Sequence, residues 1–173
     1  AMGARPVKPR IAGIDGRNVL GAEDAYVNPE KTGGTVAILG GGLVGIELAV
    51  YLAMLGKKVT VIEMLEKISD GGNFLHVLGL KTEMKRLGIA LYLSTKAKEI
   101  TGNGVLCQTA EGEKFIGADT VIYAVGQRPQ QEEASALRYC APEFYQIGDC
   151  VTPQNIINAT STAFTIARNI GRI

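Results

Sequence analysis

The feature that most constrains this chain is one run of glycines, Gly40-Gly41-Gly42-Leu43-Val44-Gly45, set directly after the apolar segment Thr35-Val36-Ala37-Ile38-Leu39. A G-x-G-x-x-G string between a buried strand and a helix is the phosphate-binding turn of a dinucleotide site. Gly40 permits the tight turn out of the strand, Gly42 lets a pyrophosphate approach the backbone, and Gly45 lets the helix pack on the sheet. Amide N–H groups and the positive end of the helix dipole then hold the phosphates. The helix is legible too: Leu43, Ile46, Val50 and Met54 recur at helical spacing, and Gly56 marks the stop. Lys58 to Glu63 reads as the next strand and ends in a carboxylate. About 20 residues separate that acid from the first glycine, the spacing at which such a unit places its ribose-binding group. A carboxylate there accepts the 2′-OH and repels a 2′-phosphate, and the nearest base downstream is Lys67 rather than an arginine. Glu63 therefore favours NADH over NADPH.

Composition excludes several classes. With 173 residues the chain holds one sizeable domain with at most an appendage, and 46% hydrophobic with 20% charged residues is a globular balance. Eighteen Lys and Arg against 17 Asp and Glu leave a net charge of +1, so no global field recruits nucleic acid or an anionic membrane. The longest apolar stretch, 39–56, contains Glu47 and is too short to span a bilayer. Cys107, Cys140 and Cys150 are odd in number and lack Cys-x-x-Cys spacing. They read as thiols in a reducing, cytoplasmic compartment, with no metal site and no redox disulfide. Ala1-Met2-Gly3 puts a methionine behind an alanine, as a cleavage remnant would.

Elsewhere the pattern is coarser. Residues 4–34 mix prolines and glycines without a sustained period and read as a lead-in segment. Residues 74–87 carry Leu75, Leu78, Leu80, Met84 and Leu87 at helical period, with a strand expected at 89–93; the lead into this helix, Asp70-Gly71-Gly72-Asn73, is unusual. Segments near 96–101, 103–110 and 113–117, separated by glycine-containing turns, predict an antiparallel three-stranded meander. Asp119 to Val125 and Phe144 to Ile147 read as strands ending at glycine loops, and 154–170 as a closing amphipathic helix. Residues 130–142 match no motif. Glu47, one turn into the first helix, suits either ligand contact or a solvent-facing or partner-facing position. His76, the sole histidine, receives no role. The fold class is α/β: a Rossmann-like parallel sheet with the meander and a C-terminal helical tail.

With these residues in hand, GGGLVGIE at 40–47 resembles the pyridine-nucleotide domain of two-dinucleotide-fold flavoproteins. Val121 to Pro129 resembles that family's second glycine strand, where the chain returns to the FAD domain, and Tyr145 to Cys150 its FAD-binding segment. Pro153, Asn155-Ile156 and Ala167-Arg168-Asn169-Ile170 are similar to the C-terminus of NADH:flavin oxidoreductases related to 2-enoate reductase and 2,4-dienoyl-CoA reductase. The resemblance implies segment 1–34 from an FAD domain, an NADH-binding domain at 35–127, and a return segment of an incomplete FAD domain at 128–173. It implies cofactor contacts at Gly40, Gly41, Gly42, Leu43, Val44, Gly45, Glu63, Val125 and Gly126, with Gly148 and Asp149 facing FAD. It also implies FMN and an iron–sulfur cluster elsewhere in a larger protein, whose remainder would be this chain's partner. Only one dinucleotide fingerprint occurs here, so half of an FAD cradle is lacking. The expectation is a carboxy-terminal piece of a reductase, inactive alone, with a homodimer possible through residues 143–173. A free-standing dinucleotide sensor would need no Ile-Gly-Asp segment, and a disulfide reductase would need a cysteine pair.

Overall fold

A computed structural model describes residues 2–68 and 74–171. The unusual lead at Asp70 to Asn73 lies outside the described residues. The chain forms two compact units, one of Lys8–Gly126 and one of Ala1–Val7 with Gln127–Ile173. The larger unit begins at Lys8, well before Thr35.

The larger unit is built on a five-stranded sheet. Its strands are β2 (Val19–Gly21), β3 (Thr35–Leu39), β4 (Lys58–Ile62), β5 (Ala90–Tyr92) and β9 (Thr120–Tyr123), all parallel in the order β2-β9-β3-β4-β5. Alternation within β3 shows why the sequence reads as continuously apolar. Val36 and Ile38 pack with the helices, Ala37 and Leu39 with the layer on the opposite face, and all four are buried. Helices α1 (Ala22–Val27), α2 (Leu43–Met54) and α3 (Phe74–Arg86) contribute to the first face. The antiparallel meander β6 (Lys96–Thr101), β7 (Gly104–Thr109) and β8 (Gly112–Gly117) covers the second through Ile100, Val105, Cys107 and Ile116. The result is three layers, helices on parallel sheet on meander.

Helix α2 buries Ile46, Leu48, Ala49 and Leu52 completely, while Met54 and Leu55 at its end are exposed. It stops through paired hydrogen bonds from Lys57 N–H to the Leu52 carbonyl and Gly56 N–H to the Ala53 carbonyl, and α3 ends the same way at Gly88 and Ile89. The buried face of α3 differs from the expected one. Val77 and Met84 are its buried residues, with Leu80 and Leu87 partly covered, whereas Leu75 and Leu78 are exposed.

Two further expectations are corrected. Residues 4–34 do contain regular structure: β2 supplies the edge strand beside β9 and leads straight into α1. A three-residue strand carries too little alternation to be seen in sequence, and its register comes from β9. Phe144 to Ile147 is not a strand. Ile147 has extended backbone (φ −144°, ψ 159°), but no described strand pairs with it, and extended backbone without a ladder is not a sheet.

In the smaller unit, β1 (Ala4–Pro6) pairs antiparallel with β10 (Gln127–Pro129), and Gln130 leads into the short helix α4 (Gln131–Ser135). Residues 130–142, unreadable in sequence, thus include a helix. Gln130 is tied back by its N–H to the Gly3 carbonyl at 3.2 Å. The closing helix α5 (Ile156–Ala167) is capped by the Asn155 side chain, which accepts the Asn158 N–H, and has no buried residue.

Candidate functional site

The glycine turn leaves the carboxyl end of β3, and its shape follows from close backbone packing. Gly40 sits at φ +115°, and a Cβ there would lie 2.3 Å from the Ala124 carbonyl oxygen. At Gly45 a Cβ would lie 2.1 Å from the Gly40 oxygen, so the first turn of α2 rests directly on the loop that precedes it. The space beside Gly42 is open: a Cβ would meet nothing within 4 Å. Gly42 is also the N-cap of α2, with no side chain capping it and no acid in the first turn. The leading N–H groups of a helix have no intrahelical acceptor, so Leu43, Val44 and Gly45 begin the helix with a positive end and an open approach. These residues fit a pyrophosphate.

Glu63 follows β4 and is 8% exposed. Its Oε2 accepts the Gly41 N–H at 2.5 Å and its Oε1 the Leu65 N–H at 2.8 Å. Its backbone is also held, donating to the Tyr92 carbonyl and accepting from Thr95 N–H. The carboxylate is thereby fixed against the glycine turn. A carboxylate has about four acceptor positions and two are used here, which leaves capacity for ribose hydroxyls. The residues after it, Met64 and Leu65, are exposed and apolar, so no guanidinium stands ready for a 2′-phosphate.

Val125 and Gly126 follow β9 at the same end of the sheet. Ala124 N–H donates to the Leu39 carbonyl, which sets this loop beside Gly40, and Val125 is 41% exposed. The chain runs from β3 to β4 on one side while β9 pairs on the other, so the turn lies where strand order reverses. Ligands of open parallel sheets bind in that crevice, at the carboxyl ends of the strands. The larger unit therefore brings together Gly40 to Gly45, Glu63, Val125 and Gly126.

Gly148 and Asp149 belong to the smaller unit. They form a short helical turn, Gly148–Cys150, with Gly148 at φ +69°. The Asp149 carboxylate accepts the Gln154 N–H at 3.3 Å. A groove of about 500 Å³ runs between this turn and α5, lined by Gln146, Gly148, Thr152, Asn158 and Thr162 among others.

Two contacts were not legible in sequence. Glu47 Oε1 lies 2.7 Å from His76 Nε2, joining α2 to α3, although the two residues are far apart in the chain. Tyr26 of α1 stacks on Tyr51 of α2 with ring centroids 5.6 Å apart. Burial, reinforced by the Glu47 charge, pushes the Tyr26 phenol up to about 12. No spacing rule links these positions; only the packing of three helices does. Cys107 and Cys150 are buried and Cys140 is exposed, and no group of three or more potential ligands for a metal ion occurs among the described residues. The residues present do not fit an iron–sulfur cluster, which takes four thiolates. No helix among the described residues is long and apolar enough to cross a membrane.

Comparison with known proteins agrees with this geometry. The chain is 34% identical to a cinnamate reductase of Clostridium sporogenes and 34% identical to an NADH oxidase of Thermoanaerobacter brockii, in both cases over 98% of its length. It spans about a quarter of those relatives, 26% and 27%. Among solved structures, a 2-naphthoyl-CoA reductase superposes with a TM-score of 0.85 at 34% identity, over 92% of this chain and 24% of that one. Residues 1–165 match the family described as pyridine nucleotide-disulphide oxidoreductase. The glycine turn, the fixed carboxylate and these similarities agree, and the chain belongs to that family of flavin-dependent pyridine-nucleotide oxidoreductases.

Proposed function

We propose that the Lys8–Gly126 unit binds NADH and positions its nicotinamide for hydride transfer to FAD within a larger flavoprotein. Electrons would pass on to reduce an enoate or enoyl-CoA type substrate. The observation that carries this reading is the Glu63 carboxylate, buried and hydrogen-bonded to the Gly41 amide beside the open approach at Gly42. Gly42 and the first turn of α2 would face the pyrophosphate, Glu63 the adenosine ribose, and Val125-Gly126 the crevice at the sheet's carboxyl edge. NADH supplies the hydride when bound; the protein supplies binding and orientation. Glu63 selects against a 2′-phosphate by like charge.

In the smaller unit, Gly148, Asp149 and the α5 groove would form part of an FAD site. The rest of the flavoprotein is the proposed partner, with FMN and an iron–sulfur cluster carried there, and the cytoplasm the proposed location. Alone, the chain is expected to show almost no turnover, because hydride transfer requires donor and acceptor about 3–3.5 Å apart.

Calorimetric titration of the chain with NADH, NADPH and FAD in turn tests this reading. Saturable NADH binding is expected, with NADPH weaker by about tenfold and little FAD uptake, and Glu63→Gln should narrow the NADH preference. Silence toward both pyridine nucleotides, or a preference unmoved by Glu63→Gln, overturns it.

A further inference from the structure

A second cleft in the larger unit lies on the helix side of the edge strand β5, away from the glycine turn in the chain's own numbering and in its lining residues. Its volume is about 420 Å³, and its floor is Ile68, Met84, Leu91 and Leu93. Three lysines, Lys67, Lys81 and Lys85, stand around it, and among the described residues no carboxylate lines it. Among the described residues none of these ammonium groups is paired with an acid. The acid of α3, Glu83, lies two residues from both Lys81 and Lys85 and so on another face of the helix, where Arg86 engages it at 2.6 and 2.9 Å.

This arrangement combines two demands. An apolar floor at a sheet edge gains from contact with hydrocarbon, and three like charges around one opening repel one another until an anion arrives. Lysine suits such a rim because its stem packs on apolar surface while its ammonium stays in water. A cleft of this size falls within the range of small-molecule sites, about 300–1,000 Å³, which are mostly apolar with a few placed polar groups. We propose that it binds a single-chain carboxylate of medium length, a fatty-acid anion, with the tail on Ile68, Met84, Leu91 and Leu93 and the head among Lys67, Lys81 and Lys85. Nothing in this proposal depends on the nucleotide site.

The test is an amide chemical-shift titration of the isotope-labelled full chain with decanoate, kept below its micelle-forming range. Saturable shifts are expected at Ile68, Met84, Leu91 and Leu93. Decyltrimethylammonium, with the same tail and the opposite head, should give no saturable shift there. The double change Lys81→Glu with Lys85→Glu should weaken decanoate binding by about tenfold or more, whereas Lys31→Glu, outside the cleft, should leave it unchanged. Rising salt should weaken it as well. If the double variant does not fold by circular dichroism, Lys81→Gln with Lys85→Gln makes the same comparison. Shifts confined to α5, equal binding of the cationic amphiphile, or decanoate affinity unmoved in a folded double variant would each overturn the proposal.

Discussion

Tyr26 has its phenol half-buried against Tyr51 and near Glu47, and both surroundings disfavour the phenolate. Its folded pKa of about 12 lies above the ordinary phenol value of 10.0. The neutral form is therefore the one the fold stabilises. That contribution is complete below pH 10, begins to fall as the unfolded phenol ionises, and is gone above about pH 12. Phenolate absorbance should show Tyr26 ionising near pH 12, and Tyr26→Phe should remove that step and flatten the loss of stability across the same window. A difference titration between the two proteins with its midpoint near 10 would count against this account. Glu63 shows the limits of sequence at this scale. Its type and spacing are readable, but its carboxylate's bond from the Gly41 N–H and its own N–H bond to the Tyr92 carbonyl depend on where the glycine turn and the end of β5 converge in space.

At the scale of elements, legibility follows the strength of the periodic pattern. β3, α2, β4 and the meander alternate or recur strongly enough to be read from the chain, because each has a face committed to one of the two cores. β2 and β10 are three residues each and owe their existence to the strands they join. The face of α3 was misread because Leu75 and Leu78 suggest an apolar stripe that the tertiary packing does not use. The same distinction predicts stability. Leu52→Ala, at a fully buried position in α2, should cost about 2–5 kcal/mol in urea unfolding, the usual range for such a cavity. Met54→Ala, two residues on and 66% exposed, should change stability by about 0.5 kcal/mol or less. Equal costs at the two positions would mean that α2 is not seated on the sheet as described.

For the molecule as a whole, the two units differ in how they satisfy their apolar surface. The larger one buries two clusters on opposite faces of its sheet. In the smaller one, Ile156, Ile157 and Phe164 of α5 are 82%, 72% and 64% exposed. Apolar groups on such a face tend to find a partner surface. Self-association through this segment is the proposed outcome for the isolated chain, and sedimentation should show it growing with concentration and disappearing in Ile157→Ser with Phe164→Ser. A chain that stays monomeric at every concentration would refute it. The extent of the larger unit was the least legible property at this scale. The strand and glycine turn from Thr35 are readable in the sequence, whereas the compact unit runs from Lys8, because the residues between contribute an edge strand that only long-range pairing reveals.

That pairing also has a consequence in time. β9 lies between β2 and β3, with Val121 beside both Val19 and Ala37. β2 and β3 leave the ribosome before β9, and they have no shared neighbour until Thr120 to Tyr123 has emerged. Closing so long a loop is slow relative to local folding, and until it closes, the β3 edge is left as a bare template for other chains. Throughout that interval the nascent chain carries its central strand unprotected on one side, and its yield in the cell should depend on chaperones that act during translation.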